Sequence, residues 1–198
     1  AVTTITGTVT EINAAIAAGT APTNYNTTLS AGTEAATDIT TLAGADGTGT
    51  VDLSAVTTIT GTVAEINAAI AAGTAPTNYN TTLSAGTEVA TDITTLAGAD
   101  GTGTVDLSAV TTITGSAVEI IALLGAAGTN IAANVNFVID EAASAANIQT
   151  IAAATTGEFT GTLLAGETTL DLSTSTASKN TVILNDDGVT VTGSSQID

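Results

Sequence analysis

Residues 48–73 read TGTVDLSAVTTITGTVAEINAAIAAG, and the change of character halfway along this stretch decides the fold. The first part, Thr48 to Gly61, is rich in Val, Thr and Ile and bounded by glycine, which predicts strand. Thr62 and Glu65 then stand at the spacing of a capping box. In that motif the Thr hydroxyl accepts from the N3 amide and the Glu carboxylate accepts from the N-cap amide. Ile66 and Ile70 lie four apart on one helical face, and Gly73 stands where a C′ glycine would end the helix. The helix is too short to survive alone, so it must be held by packing.

The same text recurs. Residues 1–54 and 55–108 differ only at Thr10, which becomes Ala64, and Ala35, which becomes Val89. A third copy opens at Ala109 and diverges after Gly115, and the capping spacing returns at Thr8 with Glu11 and at Ser116 with Glu119. Each period, as in residues 1–54, divides into two halves of about 27, each reading as strand then helix. In the second half, Asn78 to Gly86 predicts a short strand. Thr87 to Gly98 predicts a helix with Thr87 as N-cap and Val89, Ile93 and Leu96 as its apolar stripe.

Beyond the third opening, SAVEIIALLGAAG and SAANIQTIAAATTG read as helices, with NVNFVIDEA and EFTGTLLAGETTLDLS as strands. After Ser173 a polar loop leads into TVILNDDGVTVTG, which predicts a β-hairpin turning at Asn185 to Gly188. The expected fold is a β-rich α/β repeat solenoid. Residues 1–54, 55–108 and the divergent 109–173 form the repeats, and 174–198 form a C-terminal β-hairpin or cap. Each repeat is expected to make one broad coil of two strands and two helices, with strands of successive repeats pairing.

Composition bounds the function. Nineteen acids face a single base, Lys179, for a net charge of −18. One base can neutralise almost none of a phosphate backbone, so neither nucleic acid nor an anionic membrane surface is expected as a partner. No apolar run reaches the roughly 18 residues that span a bilayer, so no membrane insertion is expected. Aromatics make up 2%, and Cys, Met, Trp and His are absent, so the core must be thin and built from small side chains. The chain opens in mid-repeat at Ala1 without a signal peptide, which implies a segment of something longer.

The motif running from the Asp-Gly loop through VDLS, VTTITG and EIN resembles Thr/Ala/Gly-rich tandem repeats of giant surface or secreted proteins of marine cyanobacteria and other aquatic bacteria. The resemblance is close over residues 1–115 and looser to residue 173. It implies an adhesive, matrix or filament role at the cell surface or outside it, and no particular reaction. The segment ILNDDGVTV looks more like pieces of phage fibre and baseplate proteins.

His, Cys and Arg are absent, which leaves paired carboxylates, as in glycoside hydrolysis, to do acid–base work. Acids copied between repeats read instead as solvated and capping groups, and the chain is expected not to be an enzyme. Calcium is the ligand to weigh. GADGTGTVD, at Gly44 to Asp52 and Gly98 to Asp106, combines carboxylates with turn glycines. It makes Asp46, Asp52, Asp100 and Asp106 candidate calcium ligands. A helix-ending Gly, an Asp-Gly turn and a strand entry explain the same residues. TTIT, at Thr3, Thr57 and Thr111 onward, can present ordered hydroxyls, although β-propensity alone accounts for it. Tyr25 and Tyr79 read as partly buried spacers with wet hydroxyls. The expectation is an extracellular structural repeat protein that self-associates. An adhesin or phage-fibre spacer, or a calcium-binding surface module, are the alternatives, with glycans as possible partners.

Overall fold

A computed structural model describes residues 3–19 and 24–193. The fold is α/β, with parallel sheets alternating with helices. The chain forms two compact units, Ala1–Ser84 with Leu96–Asp106, and Ala85–Thr95 with Leu107–Asp198.

The chain begins with β1 (Thr4–Gly7), α1 (Val9–Ala17), β2 (Asn26–Leu29), β3 (Thr33–Ala35), α2 (Ala36–Ala45) and β4 (Val51–Asp52). It continues through β5 (Thr58–Gly61), α3 (Val63–Ala72), β6 (Gly73–Thr74) and β7 (Asn80–Leu83). β8 (Thr87–Val89), α4 (Ala90–Ala99) and β9 (Val105–Leu107) follow. One sheet of the first unit has the order β1-β2-β4-β6, and a second runs β3-β5-β7-β9. All of these pairings are parallel. Ile12 of α1, Ile39 of α2 and Ile66 of α3 are fully buried, as are Leu53, Ile59 and Leu83.

In the second unit come β10 (Thr112–Gly115), α5 (Ala117–Leu124), β11 (Thr129–Ile131), β12 (Asn136–Ala143) and α6 (Ala145–Ala152). β13 (Glu158–Leu163), β14 (Thr169–Asp171), β15 (Lys179–Ile183) and β16 (Thr190–Thr192) complete it. Its parallel sheet has the order β15-β13-β12-β10-β8, and β14 pairs separately with β16. Phe137 and Phe159, neighbours in register across β12 and β13, are fully buried.

The chain returns to a neighbouring strand sooner than the sequence period suggests. Thr4 faces Asn26, and its repeat equivalent Thr58 faces Asn80. Thr33 faces Thr58, and its equivalent Thr87 faces Thr112. One coil is therefore a little under half a repeat, which corrects the expectation of one broad coil per repeat. Two successive coils carry the chain from Thr33 through Thr58 to Asn80, whereas a full repeat carries Thr33 to Thr87. The shortfall, from Asn80 of β7 to Thr87 of β8, is the step from one strand to the next along the chain. The same step separates Asn26 of β2 from Thr33 of β3, and Val51 of β4 from Thr58 of β5. Each repeat thus advances by one strand position. The three TITG strands, β1, β5 and β10, consequently lie in three different sheets and do not pair with one another.

All three predicted capping boxes form, at Thr8 with Glu11, Thr62 with Glu65 and Ser116 with Glu119. The Thr62 amide donates to Glu65 Oε2 at 2.8 Å, and the Glu65 amide donates to Thr62 Oγ1 at 3.2 Å. Replacing Thr62 by Ala should cost about 1 kcal/mol in urea denaturation, the usual worth of an N-cap. Gly73 does not end α3 in the left-handed conformation expected of it. Its φ is −137° and it passes directly into β6, where a Cβ would meet the Val51 carbonyl at 2.6 Å.

Other expectations need correcting. The stretch read as one strand from Thr102 to Gly115 is two, β9 and β10, separated by a turn in which the Val110 amide donates to the Leu107 carbonyl at 3.0 Å. EFTGTLLAGETTLDLS likewise splits into β13 and β14. The repeat therefore holds more strands than the two predicted. Thr87 is not an N-cap: it opens β8, and α4 starts at Ala90. The inward stripe is Ala90, Ile93 and Leu96, all fully buried, while Val89 is 40% exposed.

The C-terminal β-hairpin does not form. β15 pairs in parallel with β13, and β16 pairs in parallel with β14. The Asn-Asp-Asp-Gly segment is a turn, as read, but it carries the chain from one sheet to another. Asn185 Nδ2 donates to the Leu163 carbonyl at 2.9 Å, and the Gly166 amide donates to Asp186 Oδ2 at 2.5 Å, tying this corner to the corner one coil earlier. Residues 194–198 of the predicted cap, and 1–2 and 20–23 of the first repeat, lie outside the described residues.

Candidate functional site

The two GADGTGTVD loops follow helices α2 and α4, and the structure assigns their acids different places. Asp46 and Asp100 point inward, 3% and 2% exposed. Their backbone carbonyls accept from the Tyr25 and Tyr79 amides at 3.4 and 3.2 Å, and from the Gly49 and Gly103 amides at 3.2 Å each. Asp52 is half-buried on β4, its Oδ1 accepting from the Ser54 amide at 2.9 Å; Asp106, also half-buried, is its repeat equivalent on β9. Among the described residues no group of three or more His, Cys, Asp or Glu side chains is placed to hold a metal ion.

The loop glycines have a steric reason that is independent of metal. A Cβ on Gly49 would lie 1.7 Å from the Tyr25 carbonyl oxygen, and one on Gly103 would lie 1.7 Å from that of Tyr79. Only hydrogen fits where the two backbones cross.

Beneath each loop sits a polar cluster that the sequence reading placed differently. Tyr25 and Tyr79 are 3% and 2% exposed, so their hydroxyls are not wet. The hydroxyls of Tyr25, Thr27, Tyr79 and Thr81, and Oδ2 of Asp100, are buried with no hydrogen-bond partner among the described residues. Burial pushes the Asp46 and Asp100 carboxyls above the usual carboxylate range. Burial also raises the two tyrosines, with the neighbouring aspartate charge adding to it. The available signal was alternation: Tyr79, Thr81 and Leu83 occupy every second position, the spacing of one strand face.

Many of the remaining carboxylates are engaged by backbone amides. Glu11, Glu65 and Glu119 close capping boxes. Glu34 on β3 accepts from the Val9 amide at the start of α1 at 3.3 Å, and Glu167 accepts from the Ala145 amide at the start of α6 at 3.4 Å. Asp171 repeats the Asp52 turn, accepting from the Ser173 amide at 2.9 Å. Hydrogen bonds from Thr8, Ser54 and Ser173 hold Glu11, Asp52 and Asp171 below the usual carboxylate range.

Outside the loops runs an exposed asparagine–threonine array. Asn78 Oδ1 accepts from both the amide and the hydroxyl of Thr102, at 3.0 and 3.1 Å, and Asn80 Oδ1 accepts the same pair from Thr104. Asn24 with Thr48 and Asn26 with Thr50 do the same one repeat earlier. The array borders two surface pockets at equivalent positions. One, of about 220 Å³, is lined by Thr3, Asn24, Tyr25, Asn26, Thr48 and Gly49. The other, of about 310 Å³, is lined by Thr57, Asn78, Tyr79, Asn80, Thr102 and Gly103.

No helix among the described residues is long and apolar enough to cross a membrane. No family model matches the chain, and no curated protein or solved structure is significantly similar to it.

Proposed function

We propose that the chain is a non-enzymatic structural repeat protein of the extracellular or cell-surface class, a solenoid whose coils stack and whose copies associate head to tail into a filament, layer or matrix. The observation that carries this reading is the coil-on-coil parallel pairing, renewed about twice per repeat within each unit. A coil buries its apolar stripe only against the next one, so the stacking surface is the same wherever a further coil is added. The fate of the carboxylates supports the non-enzymatic part: those that accept from helix starts and turns stabilise the fold. Self-repulsion at a net charge of −18 opposes association, so salt should favour it.

Negative-stain electron microscopy of the purified protein, with calcium and then with EGTA, tests the reading. Fibres of constant width in both conditions are the expected result. Fibres that fall apart in EGTA would support the calcium-binding alternative at Asp46 and Asp100. Single particles at every concentration and salt level would overturn self-assembly.

A further inference from the structure

We propose that the two equivalent pockets are binding sites for a neutral polysaccharide, one per repeat, built from the Asn24–Thr48 and Asn26–Thr50 pairs and again from Asn78–Thr102 and Asn80–Thr104. The inference does not rest on filament assembly.

Hydrogen-bond direction carries it. A backbone amide can only donate, so the atom that faces the Thr102 amide must be Oδ1 of Asn78, and the side chain cannot flip. The Thr102 hydroxyl also spends its proton on that oxygen. What each pair turns outward is therefore fixed: an Asn Nδ2 with two hydrogens to donate, beside a Thr Oγ1 with lone pairs to accept. Asn78, Asn80, Thr102 and Thr104 are all exposed, as are Asn24, Asn26, Thr48 and Thr50. A donor next to an acceptor complements an alcohol, which accepts and donates through one oxygen. Two such pairs side by side suit neighbouring hydroxyls on a sugar ring.

The ligand's charge follows from the lining. In a chain carrying nineteen acids, neither pocket is lined by a charged side chain. A polyanion would find no cation there and would be repelled by the chain as a whole. A neutral hydroxyl-bearing polymer meets neither obstacle, and it can span two sites, gaining avidity.

The pockets are held rigid by what lies under them. Gly49 and Gly103 press against the Tyr25 and Tyr79 carbonyls, so the concavity is set by backbone contact. The divergent third section supplies an internal contrast. There Asn136 Oδ1 accepts from the amide of Glu158, so a carboxylate-bearing residue stands where the earlier copies have Thr. That position should not bind.

Affinity electrophoresis of the intact chain, through native gels cast with dextran, laminarin or galactomannan, and with alginate as the anionic comparison, tests the proposal. Retardation in at least one neutral gel and none in alginate is expected. Changing Asn24, Asn26, Asn78 and Asn80 together to Asp keeps the oxygen that holds each Thr amide and removes the outward donor; it should abolish retardation. Changing Thr102 and Thr104 to Val removes one site's acceptors in a β-favouring residue, and should weaken apparent affinity by roughly tenfold or more. Circular dichroism melting confirms that each variant is folded. No retardation in any neutral gel, retardation by alginate alone, or folded variants retarded as strongly as the parent would each overturn the proposal.

Discussion

Gly103→Ala should destabilise the first unit by about 4 kcal/mol or more. The methyl would sit 1.7 Å from the Tyr79 carbonyl oxygen and 3.2 Å from that of Asp100. Both obstacles are backbone, so no side-chain rotation relieves them. The Asp100 carbonyl already holds the Tyr79 and Gly103 amides. Moving the strands apart would thus break the hydrogen bonds that position the loop and expose Tyr79. Gly98→Ala, earlier in the same segment, should act in the opposite direction. It lies within α4 with nothing within 4 Å of the added carbon, and exchanging a helical Gly for Ala gains about 0.8–1 kcal/mol. Urea denaturation of the two variants checks both signs. A Gly103→Ala protein as stable as the parent would mean that the loop does not cross Tyr79 as described.

Asp100→Asn should raise stability at neutral pH by about 1 kcal/mol, since an unpaired buried charge costs more than an unpaired neutral amide. Oδ2 of Asp100 has no partner among the described residues, and burial raises its carboxyl above the usual carboxylate range. The sign follows from linkage. Below the unfolded value the group is protonated in both states and carries no penalty. As pH rises through the higher folded value, the unfolded chain ionises first, and the folded state loses stability relative to it. The gain from Asp100→Asn should therefore be small near pH 3, grow as pH rises, and level off once the buried carboxyl is ionised. Asp187→Asn, at an exposed turn position, makes the same change in net charge and separates burial from general repulsion. Thermal melts from pH 3 to 8 decide it. An advantage for Asp100→Asn that is flat with pH, or matched by Asp187→Asn, would sink the account.

The pH profile of the unaltered chain should show opposing trends. Asp52 and Asp171, lowered by their Ser54 and Ser173 bonds, contribute stability above the ordinary carboxylate range that is lost as pH falls through their depressed values. Asp46 and Asp100 oppose this, since burial raises both.

Local chemistry was legible in the sequence wherever it involved residues a few positions apart. The capping boxes at Thr8, Thr62 and Ser116 depend on a short spacing and the reach of one carboxylate, and all three form. The Asp-Gly turns and the placing of helices between stretches of strand were readable for the same reason, although not the number of strands. Failures began where a choice depended on a distant strand. Thr87 looks like an N-cap because Thr caps helices, yet β10 draws residues 87–89 into a parallel ladder and α4 starts only at Ala90. Asn185 to Gly188 looks like a hairpin turn because nothing nearby in sequence reveals that β13 and β14 hold open edges for parallel partners.

The sequence by itself determined the repeat, the existence of the helices, the capping boxes at Thr8, Thr62 and Ser116, and the absence of His, Cys and Arg, because each depends on residue identity or short spacing. Only the tertiary structure decided the coil. Its length depends on how strands and helices close around a shared core. Closing takes the chain from Thr4 to Asn26 and from Thr33 to Thr58, both shorter spans than an even halving of the repeat. That mismatch carries identical strands into different sheets. The fold also separated chemically similar acids, leaving Asp100 buried with an unpaired oxygen among the described residues and Asp52 fastened to Ser54, since burial belongs to the packed chain and not to the residue.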